Sequence, residues 1–300
     1  MWLRPVYDTL REQLRKESVL HADETTLQVL KESGRSSTSK SYMWLYRTSG
    51  CAEHSIVLYE YQEDRKAKHA EEFLDGFSGW LHADGYQGYH KLPERIRVVG
   101  CAAHARRKFD EALTALPKEQ QQTSKAAEAL CYFAKLFQLE QSFAELKPEE
   151  RYTKRLEQAK PVLDALLAWV NDLIPRTAPK SALGKALHYL KEQGPYLVRY
   201  LEDGRLELSN NRAERSIKPF VMGRKGWLFS NTPVSAVIYS LIETAKENAP
   251  DPYRYLLWVL ESAPAMALEG DAWAGMLTPA NAPETHKIPK ETQPNETNEY

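Results

Sequence analysis

Three hundred residues, 42% apolar and 27% charged, suffice for a substantial core and match an ordinary globular chain. A formal net charge of −1 excludes a globally basic nucleic-acid binder, and three widely spaced cysteines exclude a disulfide framework. No apolar run reaches the ~18 residues of a membrane span, and the opening "MWLRPVYDTLREQLRKES" is too charged for a signal peptide; a soluble, cytoplasmic chain is expected.

In chain order, residues 3–17 predict an amphipathic helix, and "SVLHAD" a strand ending at Asp23. The Gly- and Ser-bearing "KESGRSSTSKS" separates it from "SYMWLYRT" and "SIVLYEY", two strands rich in aromatic and β-branched residues. "KAKHAEEFLDGF" predicts a helix, "GWLHAD" and "IRVVGCA" a fourth and fifth strand, and "HARRKFDEALTAL" a further helix. From about Ser124 to Tyr200 the pattern is helical, with Leu130, Phe133 and Phe137, then Leu156, Ala159, Leu163 and Leu166, at helical spacing. "LSNNRAERSIKPFVMGRKGWLF" interrupts that run, and "PVSAVIYSLIETAKENA" and "PYRYLLWVLESA" close the fold as helices. The Pro-rich polar end predicts disorder from residue 276 to 300. Strands followed by helices in this order imply an α/β chain with a mixed sheet flanked by helices.

The letters Leu-His-Ala-Asp occur twice, placing Asp23 and Asp84 at predicted strand ends. Aspartate at such a place is a common turn residue. Two of them brought close repel unless a proton or a metal neutralises them, and hard oxygen donors suit Mg²⁺ or Mn²⁺. Glu214 is the candidate third acid, and it also has two readings. With Asn211 as N-cap it stands at the third helical position, where a capping-box acid folds back onto its own helix start; it also stands four residues before Lys218, an ion-pair spacing. Its neighbours favour a site where metal and phosphate meet, because Arg212, Arg215, Lys218, Arg224 and Lys225 surround it and "GWLF" adds aromatic surface.

Residues 91–108 hold six Lys/Arg against one acid, and residues 205–225 six against two. Such patches are either solvated faces or phosphate contacts, and Arg106, Arg107 and Lys108 are candidates for the latter. Cys101 and His104 stand at C-x₂-H spacing, half of a zinc site or a purely structural pair. His21 and His82 each lie two residues before an aspartate, so each shares a strand face with it, either bonding near the carboxylate or simply packing.

The stretches "VLHADETTLQVL", "KSYMWLYRT", "WLHADGYQGY", "GCAAHARRKF", "LSNNRAERSIKPFVMGRKGWLFSNT" and "YSLIETAKENAPDPYRYLLWVLE" together resemble the insertion sequence 66 family of transposases, from about residue 3 to 263. The resemblance implies a DDE enzyme with a ribonuclease H-like core. Asp23, Asp84 and Glu214 would bind two Mg²⁺ or Mn²⁺ ions, and a helical insertion would separate the second and third acids. It implies basic residues on DNA, Asn210 and Asn211 as structural neighbours of the glutamate, and a homo-oligomer on DNA with no membrane partner. The expected organisation is residues 1–115 as the first part of the core, 116–204 as the insertion, 205–248 as the rest of the core, 249–275 as a C-terminal helical segment and 276–300 as tail. Relatives extend well beyond the point where Met1 stands, with a zinc-binding segment and helical parts, so a catalytic core from a truncated element is expected. Two other readings stay open: an inactive DNA- or partner-binding remnant, and a nuclease acting on RNA–DNA hybrids or stray DNA.

Overall fold

Aromatic and β-branched runs become strands because their side chains pack on a pleated surface, and each run predicted above does so here. In this computed structural model residues 2–30, 34–36, 38–227, 235–270 and 272–288 are described. The elements begin with α1 (Leu3–Arg15), β1 (Val19–Gln28), β2 (Lys40–Thr48), β3 (Val57–Gln62), α2 (Ala67–Phe73), β4 (Gly79–His82), β5 (Ile96–Val99) and α3 (Ala102–Thr114). Next come α4 (Lys118–Gln121), α5 (Lys125–Ser142), α6 (Pro148–Lys154), α7 (Lys160–Leu173) and α8 (Ala182–Leu197). The last are α9 (Asn211–Trp227), α10 (Ser235–Glu247), α11 (Pro252–Met266) and α12 (Trp273–Met276). The expectation of a mixed α/β chain is met. The chain divides into two compact units, Met1–Ser78 with Arg215–Tyr300, and Gly79–Glu214.

In the first unit β1, β2 and β3 form an antiparallel meander, with Asp23 opposite Leu45 and Leu45 opposite Tyr59. The middle strand is buried on both faces, Met43, Trp44, Leu45 and Tyr46 all being inaccessible to solvent. Along β3 the hydroxyls of α10 take up backbone donors: Val57 N–H donates to Thr244 Oγ1 at 3.0 Å and Tyr59 N–H to Ser240 Oγ at 2.8 Å. Those bonds blunt an exposed edge of the kind that otherwise recruits other chains. Helix α1 buries Leu3, Val6, Tyr7, Leu10 and Leu14, an i, i+3, i+4 stripe, and Tyr7 Oη donates to the Tyr59 carbonyl at 3.1 Å. Arg47, 2% exposed, grips Glu247 with both ends of its guanidinium at 3.0 Å and also donates to Ser216 Oγ, tying β2 to α9 and α10.

The expected disordered tail is partly ordered. Leu277 is buried and its carbonyl accepts from Tyr255 Oη at 2.9 Å, and Ile288 N–H donates to the Ala249 carbonyl at 2.9 Å. Two apolar side chains and these backbone bonds give residues 276–288 a place to dock, which composition alone does not reveal. The remainder, residues 289–300, lies outside the described residues.

In the second unit β4 and β5 pair in parallel, Leu81 opposite Val98, and the predicted helical stretch is observed as α5 to α8. Phe109 of α3 meets Phe133 of α5 and Trp169 of α7 at ring-centre distances of 5.9 and 6.4 Å. One predicted face is rephased. Leu156, read as inward with Ala159, Leu163 and Leu166, is 38% exposed, and Arg155 is inside at 1%. Residues 155–159 form a π-turn in which Lys160 N–H reaches the Arg155 carbonyl five residues back. Pro161 has no N–H to continue the ordinary ladder, and the wide turn adds a residue and shifts the inward stripe.

Gly204 lies against the start of α6, where an added Cβ would stand 1.7 Å from the Pro148 carbonyl oxygen. Both sides of that contact are backbone, so neither can swing away. Gly204→Ala is expected to cost about 1–3 kcal/mol of stability in denaturant unfolding; an unchanged midpoint would refute the close approach.

Candidate catalytic and metal-binding residues

Asp23 does not end its strand. β1 runs on to Gln28 because β2 supplies backbone partners as far as Lys40, so Asp23 sits mid-strand, half-buried, with Oδ1 accepting the Glu24 N–H at 2.8 Å. His21, two residues earlier, is fully buried. Arg224 of α9 donates to Thr25 Oγ1 and Thr26 Oγ1, both at 3.1 Å, and to the Thr26 carbonyl. A predicted phosphate-holding cation of α9 thus bonds the strand that carries the first aspartate, at residues two and three positions further along.

Asp84 lies two residues past the end of β4, as the sequence predicts. Its Oδ1 accepts the Tyr86 N–H at 2.9 Å, so the turn role is real. The Asp84 carboxylate also acts on two neighbouring groups. It works against burial at His90, whose pKa is lowered by desolvation, and it adds to the burial that raises the Tyr189 phenol. Tyr189 also feels Cys101 and Arg107, and a Cβ on Gly85 would stand 2.7 Å from its hydroxyl. Tyr189 therefore links the Asp84 turn to α3, and no local sequence signal marks it. His82 is buried, and its Nε2 accepts the Glu207 N–H at 3.1 Å, a structural duty for that nitrogen.

Glu214 decides between its two readings by one residue. Its N–H donates to the Asn210 carbonyl at 3.2 Å, the first bond of α9, so Asn210 rather than Asn211 is the N-cap. The third helical position is then Ala213, and Glu214, at the fourth, cannot complete a capping box. Its carboxylate faces α3 instead. Oε2 accepts from Arg107 Nη2 at 3.1 Å, and Oε1 stands 3.4 Å from His104 Nδ1. Cys101 belongs to the same group; one ligand atom each from Cys101, His104 and Glu214 lie within 4.8 Å of one another. The Asn210 N–H donates to Cys101 Sγ at 3.1 Å, and burial pushes that thiol up to about 11.

The remaining cations differ in their duties. Arg107, read as a phosphate contact, is engaged with Glu214, and Arg212 pairs with Glu207 at 2.8 Å. Lys108 pairs with Glu111 at 3.1 Å along α3. Arg106, Arg215, Lys218 and Lys225 are exposed. The aromatic surface expected from "GWLF" lies outside the described residues, including the Trp227 side chain.

The family model described as "Transposase IS66 family" matches residues 1–238, and that of the IS66 C-terminal element matches residues 240–271. The chain belongs to the IS66 transposase family. Two uncharacterized Sinorhizobium fredii proteins are among the IS66 chain's relatives. One, y4jD, is 33% identical over 279 residues, covering 87% of this chain and 53% of the relative. The other, y4hP, is 28% identical over 280 residues, covering 86% and 50%. The IS66 chain spans about half the length of the curated relatives it matches. No solved structure matches it significantly. No helix among its described residues is long and apolar enough to cross a membrane.

Proposed function

We propose that this chain is the catalytic part of a DDE transposase with a ribonuclease H-like core, cutting DNA at an element's ends and joining the freed ends to target DNA. The observation that carries the reading, together with family membership, is the carboxylate of Glu214. It is turned away from its own helix start, and its Oε1 is buried with no hydrogen-bond partner in the protein. Such an oxygen suits a hard cation, and in the proposed triad Asp23, Asp84 and Glu214 would each offer carboxylate oxygen, the donor type that Mg²⁺ or Mn²⁺ takes. When bound, a pair of such ions stabilises the charge on the attacking and leaving oxygens of an in-line phosphoryl displacement.

The chain's own residues do the positioning. Arg107 holds Glu214 Oε2, and the Asp84 turn is pinned by the Tyr86 N–H. Arg106, Lys108, Arg212, Arg215, Lys218, Arg224 and Lys225 hold backbone phosphates on DNA. In the first step water displaces the 3′-oxygen of the scissile phosphodiester, leaving a 3′-hydroxyl and a 5′-phosphate. In the second that hydroxyl attacks a target phosphodiester and expels its 3′-oxygen. One phosphodiester replaces another, and no bond to the protein forms.

Incubating the chain and Mg²⁺ with duplex DNA carrying the element's inverted repeat is expected to give nicks ending in 3′-hydroxyls, abolished by a chelator. Cutting that ignores the chelator, or that prefers an RNA–DNA hybrid, would overturn the reading. The exposed Arg106, Arg215, Lys218 and Lys225 also suit a second reading, a DNA-binding chain that does not cut and interferes with its relatives. Its signature is salt-sensitive DNA binding with no cleavage under Mg²⁺ or Mn²⁺.

A further inference from the structure

We infer that Cys101, His104 and Glu214 form a binding site for a soft or borderline divalent cation of the Zn²⁺ class, distinct in chemistry from the all-oxygen site proposed above. Among the described residues these three are the one group of His, Cys and acidic side chains close enough to share an ion. Cys101 caps α3 and His104 stands three residues on, which puts both on one side of its first turn. Glu214 comes from α9, 110 residues further along the chain than Cys101's neighbour His104.

The geometry is that of a coordination edge. His104 Nδ1 and Glu214 Oε1 are 3.4 Å apart, and both atoms are buried with no hydrogen-bond partner in the protein. Zinc bound to nitrogen at about 2.0–2.1 Å and to oxygen at about 2.0–2.2 Å in a tetrahedron separates those atoms by about 3.4 Å. The sulfur lies within 4.8 Å of one ligand atom of each of the other two residues, so a shift of at most about 1 Å brings it to the roughly 3.6 Å edge that a Zn–S bond of about 2.3 Å requires. Outer support is already present. The Asn210 N–H donates to Sγ at 3.1 Å, and Arg107 holds the second carboxylate oxygen at 3.1 Å. Three protein ligands leave a fourth position for water. Sulfur and imidazole select against Mg²⁺, which prefers oxygen. An ion held here occupies the carboxylate that the proposed triad uses and so excludes it from that triad; this consequence rests on the proposed function, whereas the site itself does not.

The test is titration of the reduced full chain with Co²⁺, followed by displacement with Zn²⁺. One equivalent is expected to give a sulfur-to-cobalt charge-transfer band and intense tetrahedral bands in the red, both erased by Zn²⁺ and untouched by excess Mg²⁺. Cys101→Ser is expected to remove the charge-transfer band. His104→Ala and Glu214→Gln are expected to weaken binding at least as much as the roughly 10–100-fold that loss of an outer partner costs. Replacing the exposed Cys51 and Cys131 together by Ser is expected to change nothing. Glu214→Gln keeps the test decisive if Cys101→Ser fails to fold, because Glu214 is partly exposed. A spectrum and affinity unaltered in Glu214→Gln, bands lost with Cys51 and Cys131, or no stoichiometric uptake would each overturn the site. DNA cleavage is not part of the readout, so failure here leaves the transposase reading standing, and failure of that reading leaves this one.

Discussion

Asp84→Asn is expected to abolish metal-dependent nicking while leaving the fold and DNA binding intact. The substitution is isosteric, and the amide oxygen of Asn can still accept the Tyr86 N–H that Asp84 Oδ1 accepts at 2.9 Å, so the turn after β4 survives. What disappears is the negative charge and one hard anionic ligand. A change that spares the ligands and touches only their outer partners costs about 10–100-fold, and loss of a ligand from the proposed three-carboxylate site is expected to exceed that. The measurement is initial nicking rate on inverted-repeat DNA at saturating Mg²⁺, beside salt-dependent binding of the same duplex and the unfolding midpoint. A variant that nicks at the native rate removes Asp84 from the chemistry. A variant that is inactive because it has unfolded is recognised by its midpoint, and Asp23→Asn and Glu214→Gln then carry the test.

The largest effect on stability is expected at Arg155. All five of its N–H groups are used: Nε and Nη2 reach the two Glu140 oxygens at 2.9 and 2.6 Å, Nη1 reaches the carbonyls of Tyr200 and Asp203 at 3.1 Å, and Nη2 also reaches the Leu206 carbonyl at 2.8 Å. The side chain is 1% exposed, so no water can replace these bonds. Arg155→Met would strand a carboxylate and three carbonyls, and is expected to destabilise by about 3–5 kcal/mol. Arg155→Lys keeps the charge but offers three donors from a point rather than five from a planar fork, and recovers only part of the loss. Denaturant unfolding followed by circular dichroism measures both. A loss below about 1 kcal/mol for Met would show that the network adds little beyond an exposed ion pair. The consequence reaches further than α6, because the three carbonyls belong to the segment that leads from α8 into α9 and so to Glu214.

Much of this molecule was written locally. Aromatic and β-branched residues concentrated at 41–48 and 55–61 specify strands whatever they pack against, and the amphipathic stripe from Leu3 to Leu14 specifies a helix. The family, too, follows from residues in sequence, since the repeated Leu-His-Ala-Asp and the "NNRAER" block are short enough to read directly. Other features depend on partners remote along the chain. β1 passes through Asp23 because β2 offers backbone bonds up to Lys40, a neighbour invisible in the letters around Asp23. Local pattern put Leu156 inside, and the π-turn before Pro161 put Arg155 there, with bonds to residues 45 to 51 positions away. The cap of α9 moved by a single residue, from Asn211 to Asn210, and that step turned Glu214 from a self-capping acid into one facing Cys101, His104 and Arg107. Periodicity and turn chemistry act over a few residues, so the sequence by itself determined which segments become helix or strand. Hydrogen bonds and ion pairs join atoms that the polymer brings together only on folding, so tertiary structure alone decided where each carboxylate points.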